Sequence, residues 1–496
     1  MAVITALLLL PLLAAASVPF VLTRFQGKKI GWILAIIPFM MLCLVLSQSV
    51  NIVNGEFPTL TLTWFKAMDI ALAFRIDGLS QLMLLLISGI GFPIVIYSQP
   101  YFGKETYLGR YYVFLFIFIT AMTGAVCAND LFTLFVFWEM TSVCSFLLIS
   151  LKHRYRSVRQ AAIEAFFITT IGGLCLLAAF ILLAEVAGNQ PIDQLVQSVS
   201  IADNPFYPWI FILFLIGAFT KSAQFPFGFW LPGAMRAPTP VSAYLHSATM
   251  VQLGIYLLGR FHPLFAETDW WFTSLATIGS ISMLTSIFLA FKHFDMKLIL
   301  AYTTITALGS LVITLASNHE LIIKASVFFV LVHALYKANL FMAVGDIQHQ
   351  TGFRHLKRVG GLHRAMPITF LAMCVAASSM AGLPPLLGFY VKELLYEASL
   401  SIPVAASLQT LIIILANMMM AAVAFILVIK PFFGEKRPVN VREADVNMSV
   451  NALILAVTTV VLSFFTKTLD IYILSPAAVA SLGRQVTDRR TMHSGM

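Results

Sequence analysis

The sequence predicts an all-α integral membrane protein, and three observations carry that prediction. Of its 496 residues, 59% are hydrophobic and only 11% are charged, with a mean hydropathy of +0.90. A soluble domain of that composition could not cover its apolar surface with polar side chains. Apolar segments of about twenty residues, the length of a bilayer-crossing helix, recur from one end of the chain to the other. None of these alternates polar with apolar residues as a lipid-facing barrel strand must, and helices are the other structure whose backbone is satisfied in lipid.

Taken in order, the apolar windows place spans near 2–23, 31–50 and 77–99, which make an N-terminal unit of residues 1–110. The first, "MAVITALLLLPLLAAASVPFVL", has the hydrophobic run of a signal peptide but no basic start, and Arg24, Lys28 and Lys29 follow it, so it reads as a retained span. Spans near 111–128, 130–151, 160–187, 206–230 and 238–260 form a second unit, 111–260. Those near 270–291, 297–317, 321–346, 366–400 and 407–430 form a third, 270–430, and a last span near 448–468 lies in 431–496. The total is about fourteen.

Loop charge gives the orientation. The net charge of +9 comes from basic residues that fall between apolar segments, which argues for topology rather than for a nucleic-acid partner. They gather in alternate loops: Lys152, Arg154, Arg156 and Arg159; Arg354, Lys357, Arg358 and Arg364; Lys436, Arg437 and Arg442. These loops are expected in the cytoplasm and both termini outside it, although the tail "GRQVTDRRTMHSGM" departs from the pattern with three arginines. The five cysteines, Cys43, Cys127, Cys144, Cys175 and Cys374, have neither paired nor metal-ligand spacing and read as packing residues.

Two spans are interrupted. The seventh reads "FTKSAQFPFGFWLP", with Lys221 just before Pro226, and the twelfth reads "GLPPLLGFYVKELL", with Pro384 and Pro385 just before Lys392. Proline frees carbonyls that lipid cannot satisfy, so such breaks must be buried or line water. Matching breaks in two halves are the pattern of a transporter built from repeats, here five helices near 111–260 and five near 270–430.

Deep within the spans stand Glu139, Lys221, Lys337 and Lys392, joined by His246 and His333. The remaining charged residues lie near helix ends, where they are expected to snorkel. A carboxylate in mid-membrane such as Glu139 costs roughly 2.5–3.5 kcal/mol on insertion scales. His333 and Lys337 are four residues apart and share a helix face, as a protonatable relay requires. Any one of these groups could simply tie helices together. One acid and three lysines, however, cannot neutralise one another pairwise while all are charged, and the set points to proton movement. There is no glycine-rich phosphate loop, no Cys/His cluster at metal spacing and no soluble catalytic domain; "GIGF" and "TIGG" read as small-residue helix contacts. A secondary transporter subunit without metal or cofactor is expected rather than an enzyme, drawing its energy from an ion gradient or a partner.

The stretches "FRIDGLSQLMLLLISGIGF", "FVFWEMTSVCSFLLIS", "FGFWLPGAMRAPTPVSAYLHSATMV", "HALYKANLFMAVGDIQHQTG" and "GLPPLLGFYVKELLYEA" resemble the large A subunit of Mrp-type multisubunit cation/proton antiporters. That superfamily includes the antiporter-like subunits of respiratory complex I. The resemblance implies fourteen core helices and two inverted five-helix repeats, each with a broken helix. It implies a Glu139–Lys221 pair, a central relay of His246, His333 and Lys337, and a terminal Lys392, with Pro226, Pro384 and Pro385 in the breaks. Gln252 stands where the A subunit usually has lysine, which removes a titratable step that water or His246 could replace. A subunits also continue beyond the length of this chain, so the cation path proposed for that extension is expected to be missing here.

The resemblance further implies a proton-translocating subunit of a Na+/H+ antiporter in a bacterial cytoplasmic (inner) membrane, working with small hydrophobic partner subunits. The alternatives are a proton-channel subunit of a complex I-like or hydrogenase-like redox pump or of an inorganic-carbon uptake complex, and a non-conducting scaffold.

Overall fold

The computed structural model describes residues 1–25, 27, 29–65, 70–103, 105–198, 200–400, 405–435 and 441–483. The basic residues Lys28, Lys436 and Arg437, and the arginine-bearing tail beyond Gly483, lie outside the described residues.

The chain is a helical bundle. Its first helices are α1 (Ala2–Arg24) and α2 (Lys29–Ser47), followed by a hairpin and then α3 (Gly78–Phe102), α4 (Leu108–Cys127), α5 (Leu131–Ile149) and α6 (Arg156–Ala187). Next come α7 (Tyr207–Lys221), α8 (Thr239–Leu245), α9 (Met250–Arg260), α10 (Asp269–Lys292), α11 (Met296–Leu315) and α12 (Glu320–Thr351). The last four are α13 (Pro367–Ala381), α14 (Leu387–Leu400), α15 (Ala405–Phe433) and α16 (Val446–Phe464). Among the described residues, twelve helical segments are long and apolar enough to cross a bilayer. The shorter α7 and α13 are the first halves of the two segments that the prolines were expected to break. The middle of the 32-residue α12 and the α8–α9 segment are enclosed by protein, whereas most residues in the apolar stretches of α1, α2, α6 and α15 are not buried.

Three features differ from expectation. The hairpin pairs β1 (Thr59–Phe65) with β2 (Ile70–Arg75), antiparallel, with Thr59 opposite Arg75. The alternation in "TLTLTWF" is its signal. It anchors the start of α5: Asn129 N donates to Ala73 O (2.8 Å), and Asp130, which caps α5 through Phe132 N (2.8 Å) and Thr133 N (3.0 Å), accepts from Ala73 N (3.2 Å).

The expected continuous span at 238–260 is broken instead. Between α8 and α9, the Ser247 hydroxyl donates to Ala243 O and the Thr249 hydroxyl to Tyr244 O (2.8 Å). These side chains take up carbonyls that the helix leaves free, the known competition of serine and threonine with the helical ladder.

The charged residues near helix ends do not all snorkel. Arg260, Asp77, Lys297, Lys324, Asp346 and Asp470 are buried. For Asp77, Arg260, Lys324 and Asp470 the reason lies in the chain after α16, which folds back over that end of the bundle; there the backbone of Pro476 and Ala477 fills the space a side chain at Gly78 would need, whereas Lys297 is taken up by Ala237 O (2.7 Å) and Asp346 by Thr369 at the other end. Under this cover Lys324 pairs with Asp470 (2.7 Å). Arg260 forks onto Asp77, with Nη2 at 2.9 Å from Oδ1, and also reaches Ser80 Oγ (2.9 Å). Asp77 in turn caps α3 through Ser80 N (3.0 Å).

Candidate functional site

Glu139 lies on α5 against α6, and the "TIGG" stretch makes its room. A Cβ on Gly173 would overlap Glu139 Oε1, and one on Gly172 would overlap the Thr220 hydroxyl of α7. Glycine is therefore required here by close approach, beyond general helix packing. Gly173→Ala is expected to displace the carboxyl and lower proton movement several-fold while the complex still assembles. Alanine favours the helix by up to about 1 kcal/mol, so a loss of activity without loss of thermal stability separates the two effects.

Lys221, fully buried at the end of α7, reaches back to α5. Its Nζ donates to Ser142 Oγ (2.7 Å) and Trp138 O (3.3 Å) and stands 5.1 Å from the centroid of the Trp138 ring. Glu139 shares that patch of α5, but no ion pair joins it to Lys221 among the described residues. Glu139 Oε1 is left without a hydrogen-bond partner. Beyond Lys221 the chain passes through Pro226, and the freed Thr220 carbonyl accepts from Trp230 Nε1 (2.9 Å).

His246 sits at the break between α8 and α9, with both ring nitrogens unpaired and Trp230 at 6.1 Å between ring centroids. Gln252 on α9 donates from Nε2 to His333 Nδ1 (2.8 Å). With Nδ1 accepting, a neutral His333 carries its proton on Nε2, which has no partner. Four residues on, Lys337 Nζ donates to Thr303 Oγ1 (2.5 Å) and Leu300 O (3.1 Å) of α11. Lys392, after the second break, donates to Ala381 O (2.9 Å) and Met380 O (3.1 Å), the last carbonyls of α13. Those carbonyls form the negative end of that half-helix. Gly382 ends it in the left-handed region (φ 82°), and Pro384 and Pro385 stand between it and α14. A small cavity beside Lys392 is lined by Tyr336, Ser379 and Asn417.

One pattern unites the lysines. Lys221, Lys337 and Lys392 are each held by two neutral oxygens, and none closes an ion pair with a carboxylate among the described residues. A neutral amine keeps two N–H groups and an ammonium has three, so either form can keep both bonds. These contacts accommodate either protonation state.

The profile of the NADH:quinone oxidoreductase/Mrp antiporter membrane family matches residues 128–430, which hold all six of these titratable groups. The chain belongs to that family. A second profile, for the N-terminus of chain 5 of NADH-ubiquinone oxidoreductase (complex I), matches residues 64–112. A putative antiporter subunit mnhA2 of Staphylococcus saprophyticus is 43% identical over 399 residues, covering 77% of this chain and 50% of that protein. The Na(+)/H(+) antiporter subunit A1 of Staphylococcus haemolyticus is 38% identical over 503 residues, covering 96% of this chain and 62% of that protein. The chain therefore spans between half and two-thirds of the length of these curated relatives. Among solved structures, a chain of the Mrp complex from a Dietzia species superposes with a TM-score of 0.86 at 34% identity, over 97% of this chain and 52% of that one. A chain of an archaeal membrane-bound sulfane sulfur reductase has a TM-score of 0.83 at 20% identity over 97% of this chain and all of that one, which shows a shared fold. Family membership makes the buried groups of this helical membrane protein candidates for ion movement.

Proposed function

We propose that this chain is the proton-translocating subunit of a multisubunit monovalent cation/proton antiporter, with Na+ as the exchanged cation, in a bacterial cytoplasmic membrane and in company with small hydrophobic subunits. The observation that carries this reading is the set of three lysines, Lys221 and Lys337 buried and Lys392 half-buried, held among the described residues by neutral oxygens. Between them stand His246, Gln252 and His333. Two five-helix units, 111–260 and 270–430, would each contribute one lysine at a broken helix, Lys221 and Lys392, and Lys337 would lie between them. The names of the curated relatives agree with this assignment.

The test uses inverted membrane vesicles holding the intact complex and a preformed proton gradient. Added Na+ should collapse the gradient, and membranes without this chain should not respond. Proton movement driven by a redox substrate and indifferent to every monovalent cation would overturn the reading.

A further inference from the structure

Helix α12 carries a buried acid outside the lysine file. Asp346 is nine residues beyond Lys337, hence half a turn away in angle on the opposite face. It meets α13, where the Thr369 hydroxyl lies 3.3 Å from Asp346 Oδ2 and 2.6 Å from Glu443 Oε1. Glu443 is partly exposed, in the basic segment that leads into α16. Its Oε2 accepts from Ile368 N (2.7 Å) and Thr369 N (3.4 Å), and its Oε1 accepts from Ala444 N (3.2 Å). The other titratable group beside Asp346 is Tyr97 of α3, whose hydroxyl donates to Met342 O (3.0 Å) and also lies within hydrogen-bonding reach of the Asp346 carboxyl. Asp346 Oδ1 has no hydrogen-bond partner.

The proton count orders this chain. Thr369 has one hydroxyl proton and two carboxyl groups within reach. The shorter contact gives that proton to Glu443, where backbone N–H groups at the start of α13 already gather on the carboxylate. The longer contact to Asp346 is then at most a weak share of that proton, and becomes a full hydrogen bond when Asp346 supplies a proton of its own. A protonated Asp346 would complete a chain of bonds, donating from Oδ2 to Thr369 Oγ1 while Thr369 Oγ1 donates to Glu443 Oε1.

We propose that Asp346, Thr369 and Glu443 form a proton relay that loads the buried interior from the basic-loop face, an inference that rests on reading this protein as a proton carrier. In the outward step, Glu443 Oε1 takes the Thr369 proton while the Thr369 oxygen takes the Asp346 proton. Asp346 is left ionised and Glu443 neutral. The reverse step loads Asp346 from the loop, and no oxidant or other reactant takes part. Toward the interior, Asn339 lies seven residues earlier on the same face, about 10 Å along the helix axis, with both amide atoms unpaired. It is the next polar group of α12 on that side.

Two measurements on the assembled complex test the relay. Infrared spectroscopy of the resting protein should show a protonated-carboxyl band at neutral pH that Asp346→Asn removes. In D2O, exchange of that proton should slow by about tenfold or more in Thr369→Val and in Glu443→Gln, with Thr369→Ser close to the unmodified rate. Cation-driven proton movement in vesicles should fall in parallel. Absence of an Asp346 band, or unaltered exchange in Thr369→Val, overturns the relay whatever the transport result. Loss of cation response in the unmodified complex, with the exchange pattern intact, overturns the functional reading instead and leaves the hydrogen-bonded chain standing.

Discussion

Lys337→Ala and Lys392→Ala are each expected to reduce cation-driven proton movement to the level of membranes lacking the protein, while insertion and assembly persist. Neither side chain is a topology signal, because Lys337 is wholly buried and Lys392 is turned inward to Met380 O and Ala381 O. Neither closes an ion pair among the described residues, so removal leaves no opposite charge stranded, the event that usually makes loss of a buried ion destabilising. What is lost is the site that can hold or release a proton. Lys337→Arg should fail as well. It keeps a positive charge, but a guanidinium stays protonated to above about pH 12, and its planar fork does not reproduce a point contact to Thr303 and Leu300. Thr303→Val should give a milder defect, because Leu300 O remains as an acceptor. The measurement is dye-reported proton flux in vesicles matched for the amount of assembled complex. Flux at the unmodified rate in Lys337→Ala, Lys337→Arg and Lys392→Ala together would leave the scaffold reading as the better one.

The fold was legible wherever local chemistry decides it. Twenty apolar residues in a row require a helix in lipid, and proline beside glycine breaks one, so the bundle and the breaks after Lys221 and before Lys392 follow from composition and spacing alone. The break at 246–249 was written as well, in the serine and threonine of "HSAT", but hydroxyl back-bonding is a weak signal that most helices absorb. Partnerships across the chain were not legible. Asp77 and Arg260 are 183 residues apart, and Lys324 meets Asp470 only because the segment after α16 folds back. Each reads singly as a charge near a helix end. The site showed the same division. The six candidate titratable residues stand out in sequence by their depth within apolar runs, whereas Asp346, buried in the structure, lies close enough to the basic "HQTGFRHLKR" loop to pass for an end charge. The role of Gly173 emerges only once α5 and α6 are set side by side.

Glu139 and Lys221 are expected to behave as one unit although no ion pair joins them in this structure. Both address the same few residues of α5: Lys221 binds Trp138 O and Ser142 Oγ, and Glu139 lies between those positions in the chain with one oxygen unpartnered. A lysine has a long, rotatable stem, so a shift of the ammonium from Ser142 toward the carboxylate would exchange neutral acceptors for an anion and change which proton is free to leave. If that exchange is the working step, Glu139→Gln removes one of its two positions and Lys221→Ala removes the group that moves. Each single variant should lose most of its cation-driven proton flux, and the double variant should be little worse than the poorer single. The departure from additivity should be about tenfold, or roughly 1.4 kcal/mol, within the range found for groups of one network. Ser142→Ala adds a third arm: it weakens the resting position alone, so it should alter flux in the unmodified background and have little further effect once Glu139 is Gln. Flux is measured in vesicles with equal amounts of assembled complex. Strictly multiplicative losses for Glu139 and Lys221 would show two independent groups, and the carboxylate fitted against Gly173 would then act on α6 rather than on the lysine.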